Sequence, residues 1–244
     1  MKRNEHVKDT LLKKINWQIT LKINKKLYQH TSMEEMKINS LMMKIRSYEL
    51  PVQNILCIRN PLIYNDTWKC ALCNEVLETY DHLFKCRRHY ENWCKLKTSI
   101  IKYIENVYKS KSEDKYNASL IDKLKNLAMW DITDNGIGML VKGFIPKELH
   151  MILVEMKLDN REEICSNIAN KGIKGFKYFI WENRNDAQIK LEKIRNIGII
   201  EKKKKNDNRK DNRNTVIRNF DNYIEKWKTW VSLGLKFGGS FLNF

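Results

Sequence analysis

At the start of the chain, hydrophobic residues recur every four positions, at Val7, Leu11, Ile15, Ile19, Ile23 and Leu27, with Leu12 widening the stripe and lysines on the opposite face. That period predicts a long amphipathic helix. A second helix is predicted from Met33 to Arg46, with Met36, Leu41, Met42 and Ile45 inward. Glu49-Leu50-Pro51 should end it, because proline disfavours helical geometry in the residue before it. Val52 to Ile58 reads as a short helix. Residues 60–81 lose the helical period and are expected to form a loop or a small hairpin.

From Asp81, an acceptable N-cap, Phe84, Trp93, Leu96, Ile100, Ile104 and Val107 share one face of a helix expected to reach Lys109. A polar linker, 109–117, follows. Leu120 to Trp130 and Pro146 to Met156 read as helices, the latter with proline in its first turn, and Gly136 to Phe144 as a short buried segment. Another helix is predicted from Lys174 to Ile197, with Phe176, Ile180, Leu191 and Ile194 inward. Glu201 to Asn214 has seven basic and three acidic residues and no large apolar one, so it is expected to be a solvated linker or arm. Val216, Phe220, Tyr223, Trp227 and Trp230 then form an aromatic stripe at helical spacing.

The fold class expected is mainly α. The segments are an N-terminal helical part (1–49), a cysteine-bearing module with its following helix (50–109), a helical region (118–200), a basic linker (201–214) and an aromatic helix with a tail (215–244). No internal repeat is visible.

Composition narrows this picture. Nine Gly and three Pro in 244 residues argue against a Greek-key sandwich, a collagen or a glycine-loop nucleotide-binding fold. There is no apolar run of membrane-spanning length, and Met1 to Thr10 lacks the apolar core of a signal peptide, so the protein is expected to be intracellular, in the nucleus ahead of the cytoplasm. The formal charge is +17, from 46 Lys and Arg against 29 Asp and Glu. Lys outnumbers Arg 35 to 11, a bias that A/T-rich coding sequence also produces. Such coding favours Glu as well as Lys, however, so the imbalance of sign points to an acidic partner, nucleic acid before an anionic membrane surface.

The most specific pattern is Cys70-x2-Cys73-x8-His82-x3-Cys86. Two cysteines three apart can grip one metal from a tight turn, and a histidine four residues before a cysteine shares a helix face with it. Three thiolates and one imidazole suit structural zinc, with no position left open for a reacting water. His89 and Cys94 are competing ligands. His82 is preferred because it alone lies between the two cysteine groups. Cys57 and Cys165 stand apart and read as core residues, and disulfides are disfavoured by the expected compartment.

Trp68-Lys69-Cys70-Ala71-Leu72-Cys73, then Glu78-Thr79-Tyr80-Asp81-His82-Leu83-Phe84-Lys85-Cys86, then Trp93, resembles the reverse-transcriptase zinc-binding region near the C-terminal end of non-LTR (LINE-type) retrotransposon polyproteins. Leu50-Pro51 also resembles the helical lead-in of that family. The resemblance implies zinc on Cys70, Cys73, His82 and Cys86, and a Trp93 that packs beneath the knuckle. Weaker likeness extends to Val141 through Leu149, to Ile180-Trp181-Glu182-Asn183-Arg184 with Gly198-Ile199, and to Trp230-Val231 with Leu233-Gly234. There is no Tyr-x-Asp-Asp polymerase motif, no RNase H acidic set and no room for an N-terminal endonuclease. The expectation is a free-standing C-terminal piece of a retrotransposon protein, or a degenerate copy of one.

The function expected is therefore a nucleic-acid-binding zinc module, with RNA, DNA or both as partners and neither membrane nor small-molecule substrate. Lys85, Arg87, Arg88 and Lys95 would contact phosphates without reading bases. Trp68 and Tyr80 would either stack on unpaired bases or belong to the core. Lys202, Lys203, Lys204 and Lys205 would serve as nucleic-acid contacts, an import signal or a solubilising run. No enzyme is expected: Asp131, Asp134, Glu148, Glu155 and Asp159 match no nuclease arrangement and read as solvated or capping carboxylates. The alternative is a helical interaction scaffold using the stripe near Trp227 and Trp230.

Overall fold

The computed structural model describes residues 13–27, 32–65, 67–111, 117–198 and Lys202. The fold is mainly helical, and among the described residues the only β pairing is one isolated antiparallel bridge, Ile15 to Pro146. The predicted segments from Val7 to Leu12, from 203 to 214 and from 215 to 244 lie outside the described residues.

Helix α1, Trp17–Leu27, follows an interruption of the predicted stripe at residues 14–16, with Lys13 helical before it. Ile15 leaves the helix for the bridge, and the side chain of Asn16 accepts the Ile19 amide at 3.2 Å as the cap. The Asn16 amide in turn donates to the Ile145 carbonyl at 2.8 Å, which fastens the start of α1 to a distant turn. Helix α2, Met33–Arg46, is capped by Ser32, whose hydroxyl accepts the Glu35 amide. Its inward face is Ile38, Leu41, Met42 and Ile45. Met36, expected inside, is 56% exposed, because it lies off that stripe. Helix α3, Gln53–Arg59, follows Pro51 as expected.

The long helix predicted from Asp81 is broken. Helix α4 is only His82–Lys85, Cys86 is extended (ψ 118°), Arg87–His89 forms a 3₁₀ turn, and α5 then runs Tyr90–Lys111. A break leaves carbonyls without helical partners. The indole N–H of Trp93 donates to the Leu83 carbonyl at 3.0 Å, and its ring stacks on Phe84 with centroids 5.0 Å apart. Trp93 thus lies beneath the broken turn. Asp81 holds the N-cap position as expected, but its side chain makes no capping bond, and the Thr79 hydroxyl accepts the His82 amide instead.

Helix α6, Ala118–Lys125, stops short of the predicted Trp130. A 3₁₀ turn, Ala128–Trp130, follows, and the Trp130 indole closes onto the Leu124 carbonyl at 2.6 Å. Helix α7, Ile137–Val141, is buried throughout. Gly143 then adopts φ +74°, where a Cβ would meet the Arg46 guanidinium at 2.8 Å. Helix α8, Lys147–Glu155, has Pro146 at its N-cap.

The predicted helix from Lys174 begins much earlier. Helix α9, Arg161–Gly175, continues through a π-helical stretch, Phe176–Trp181, into α10, Glu182–Ile194. Helix α9 packs against α1, α2, α5, α7 and α8 and is the axis of the body. A Cβ at Gly172 would meet the Leu140 carbonyl at 3.1 Å, so α9 and α7 approach closely there. One apolar cluster runs from Ile19 to Trp181 and takes side chains from every helix from α1 to α9 except α3 and α4's polar positions, with Trp93, Leu96, Ile100 and Ile104 at its heart. Burying each such side chain contributes about 1.5–3 kcal/mol.

Candidate metal centre

The segment between α3 and α4 is irregular, without a strand pair. Its tightest part is a turn in which the Cys70 amide donates to the Val76 carbonyl (2.8 Å) and the Asn74 amide to the Cys70 carbonyl (2.9 Å), with Asn74 in the left-handed region at φ +54°. That turn carries Cys70 and Cys73. The other pair sits one helical turn apart, the Cys86 amide bonding the His82 carbonyl at 2.8 Å. One ligand atom from each of Cys70, Cys73, His82 and Cys86 lies within 4.8 Å of the others, and Cys73 Sγ is 3.4 Å from His82 Nε2. Ligands 2.0–2.3 Å from a tetrahedral ion would lie roughly 3.4–3.8 Å apart. The cluster therefore fits one metal ion. All six cysteines are free thiols.

Burial and backbone amides act on the thiols in opposite directions. Burial pushes the Cys70 thiol up to about 12, and raises Cys86 as well. Backbone amides work the other way, those of Cys73 and Leu72 on Cys70 and that of Arg88 on Cys86. Those N–H groups favour thiolate, but without a positive ion desolvation keeps the sulfurs protonated.

His89 and Cys94 are outside the cluster. The His89 ring is buried, and burial pulls it down to about 4. Neither ring nitrogen has a hydrogen-bond partner. Cys94 lies half-buried on α5, Cys165 in the core, and Cys57 donates to the Asn65 carbonyl at 3.2 Å.

Part of what holds this loop to the body is polar. Glu78 and Arg184 form an ion pair with side chains 1% and 2% exposed, the guanidinium Nε reaching both carboxylate oxygens at 3.0 Å. Glu78 also accepts the Gln53 amide on its carboxylate and the Asn54 amide on its carbonyl, so it fastens the first turn of α3 too. One and two turns further along α10, Gln188 and Glu192 are buried, and Glu192 accepts the Tyr64 hydroxyl at 2.6 Å. Ile194, expected inside, is 77% exposed, because α10 turns this polar face inward. The sequence held one sign of this arrangement, the four-residue spacing of Arg184, Gln188 and Glu192.

The predicted stacking residues are enclosed. Trp68 is 2% exposed, packed against Tyr64 and covered by the Arg195 guanidinium at 4.0 Å. Tyr80 packs on Tyr48 and Phe84 and donates to Asp134. Neither ring is open to a base, and the core alternative is the one the structure adopts. Asp134 is likewise not a solvated carboxylate. It accepts the hydroxyls of Tyr48 and Tyr80, both at 2.9 Å, and pairs with the buried Lys142 at 2.6 Å.

The predicted phosphate contacts Lys85, Arg87, Arg88 and Lys95 are all exposed, as is Lys69, and Lys69, Lys85, Arg87 and Arg88 adjoin Cys70 and Cys86 in the chain. Arg87 pairs with Glu75 at 2.7 Å. Lys202 is committed to an ion pair with Glu192, and Lys203, Lys204 and Lys205 lie outside the described residues. Comparison with protein-family models, with curated proteins and with solved structures finds no match.

Proposed function

We propose that Cys70, Cys73, His82 and Cys86 hold a structural zinc ion, and that the knuckle so ordered is a nucleic-acid-binding module related to the C-terminal region of LINE-type reverse-transcriptase proteins. The observation that carries this reading is the convergence of the four ligand atoms beside a rim of exposed cations. With four protein ligands the ion has no open position, so its part is to fix the turn at Cys70 and the break at Cys86. Lys69, Lys85, Arg88 and Lys95 then face solvent where a phosphate backbone can release its counterions to them.

The module binds through phosphate contacts, which carry no base sequence, and the two rings expected to stack, Trp68 and Tyr80, are enclosed. No reaction is assigned to the chain. Both oxygens of Asp134 are taken by tyrosine hydroxyls and lysine, which leaves no free general base there. No helix of the described residues is long and apolar enough to cross a membrane. Metal quantification on the purified protein tests the first half of the reading, with one zinc per chain expected and loss of it on Cys73→Ser. Binding to RNA and to duplex DNA at two salt concentrations tests the second, and affinity that ignores salt would sink it.

A further inference from the structure

A second buried charge, Lys142, reaches the metal loop from the end of α7. Its side chain is 2% exposed and pairs with Asp134 at 2.6 Å. Asp134 accepts the Tyr80 hydroxyl on Oδ1 and the Tyr48 hydroxyl on Oδ2, both at 2.9 Å, and Lys142 also donates to the Tyr48 oxygen at 3.1 Å. The ammonium lies 4.7 Å from the Tyr48 ring centroid and 5.8 Å from that of Tyr80. Side chains from just after α2, from the turn before α7 and from the residue after it thus converge on one tyrosine of the metal loop.

Stability is a poor reason for this arrangement. Apolar residues of similar volume often match or exceed a buried ion pair in stability. Tyr48 moreover holds φ +59°, a left-handed backbone that bulky residues rarely adopt, and its ring packs edge-on against Tyr80 with centroids 4.7 Å apart. A strained residue and a desolvated pair are both kept around the Tyr80 side chain.

Tyr80 opens the turn that carries a ligand. Its carbonyl accepts the Leu83 amide at 3.2 Å, and the His82 amide donates to the Thr79 carbonyl and hydroxyl, each at 3.2 Å. Asp81, between Tyr80 and His82, lies within electrostatic reach of Lys142. Holding the Tyr80 side chain therefore sets the direction in which this turn sends His82 toward Cys73, whose sulfur is 3.4 Å from Nε2. Removing groups that orient a ligand without touching the ion typically costs about 10–100-fold in metal affinity. We infer that Asp134 and Lys142 are positioning residues for the metal ligand His82, acting through Tyr80. This rests on the proposal that the four ligands hold an ion, and it requires nothing of nucleic-acid binding.

The test is the metal affinity of the full chain, measured for zinc by competition with a chromophoric chelator and for cobalt(II) by its d–d absorption. Tyr80→Phe keeps the ring and drops the hydroxyl. Asp134→Leu with Lys142→Met removes both charges together, so that neither is left buried alone. Each variant should keep one ion per chain, bind it about tenfold more weakly and shift the cobalt bands. Leu96→Ala, which softens the apolar core, should leave both affinity and bands unchanged. Equal weakening in Leu96→Ala, or unchanged affinity and cobalt spectrum in the first two variants, would overturn the inference while the metal reading stands. An unsubstituted chain that takes up neither zinc nor cobalt would overturn the metal reading, and the inference with it.

Discussion

The two flanks of the α9–α10 rod are joined to their neighbours by different physics. On the α9 side, α5, α7 and α8 meet it through Leu96, Ile100, Leu140, Ile152 and Ile168, side chains with almost no polar surface. On the α10 side, the loop from α3 to α5 meets it through Glu78 with Arg184, Tyr64 with Glu192, and Trp68 under Arg195. Among the described residues, the buried side-chain polar atoms without a partner belong to this second side: Gln53, Asn54, His89 and Gln188. An apolar interface loses in proportion to the volume removed, whereas a desolvated polar one is also left with an unpaired buried group when a single partner is removed. The helical body should therefore stand by itself, and the loop should depend on the proposed ion and on its charge pair.

Removing the metal is the harshest test of that difference. Structural zinc contributes on the order of 10–16 kcal/mol in small modules. Chelation, or Cys73→Ser, should abolish amide-exchange protection from about Gln53 to His89 while α5, α7 and α9 keep theirs; simultaneous loss across the chain would mean that the two flanks are one unit. The same site should respond to pH with a definite sign. The metal-free thiols of Cys70 and Cys86 are raised by burial, so they hold their protons until an ion displaces them. Zinc affinity should climb as pH rises from about 6 to 8, by up to about three protons released per ion, and fall as pH is lowered.

Next in size is the buried pair. Arg184→Leu leaves the Glu78 carboxylate desolvated and without its countercharge, with only the Gln53 amide on it, which costs about 3–5 kcal/mol. Glu78→Leu in the same chain should recover a large part of that loss in urea melts, because a pair of apolar residues needs no compensating charge. If the single and double variants are equally unstable, the pair is not what holds the loop on α10. Slightly smaller is Leu96→Ala in the apolar flank, which should cost about 2–5 kcal/mol in global stability yet leave metal content at its original value. Zinc lost in this variant would couple the flanks more tightly than their chemistry suggests.

The same contrast explains what could be read in the sequence. Apolar periodicity located α2, α5 and α8 because their buried faces are continuous. Cysteine and histidine spacing picked out the four residues that the fold brings together, Cys70, Cys73, His82 and Cys86. Periodicity failed for the start of α9, where Ala169 and Gly172 stand in for large apolar residues so that α7 can come close. The inward face of α10 was missed because Arg184, Gln188 and Glu192 look like a solvated stripe until Glu78, far away in the chain, is brought against them. The break at Cys86 was hidden because Trp93 satisfies the Leu83 carbonyl from the next helix, a bond that no local pattern records.

The smallest effect on stability is expected at the rim, where it separates binding from folding. Lys85, Arg88 and Lys95 are exposed and contribute no buried area to either flank. Changing each to Gln should move stability by no more than about 0.5 kcal/mol. Each cation that neutralises a phosphate should still lower the salt slope of duplex binding by about 0.9, or of single-strand binding by about 0.7. Arg87 is the internal control, since its guanidinium already faces Glu75 on the surface and so has a competing partner. The slope should fall less for Arg87→Gln than for Arg88→Gln. Equal slopes in all four variants would place the nucleic-acid contact away from the knuckle and leave the ion there with a purely structural part.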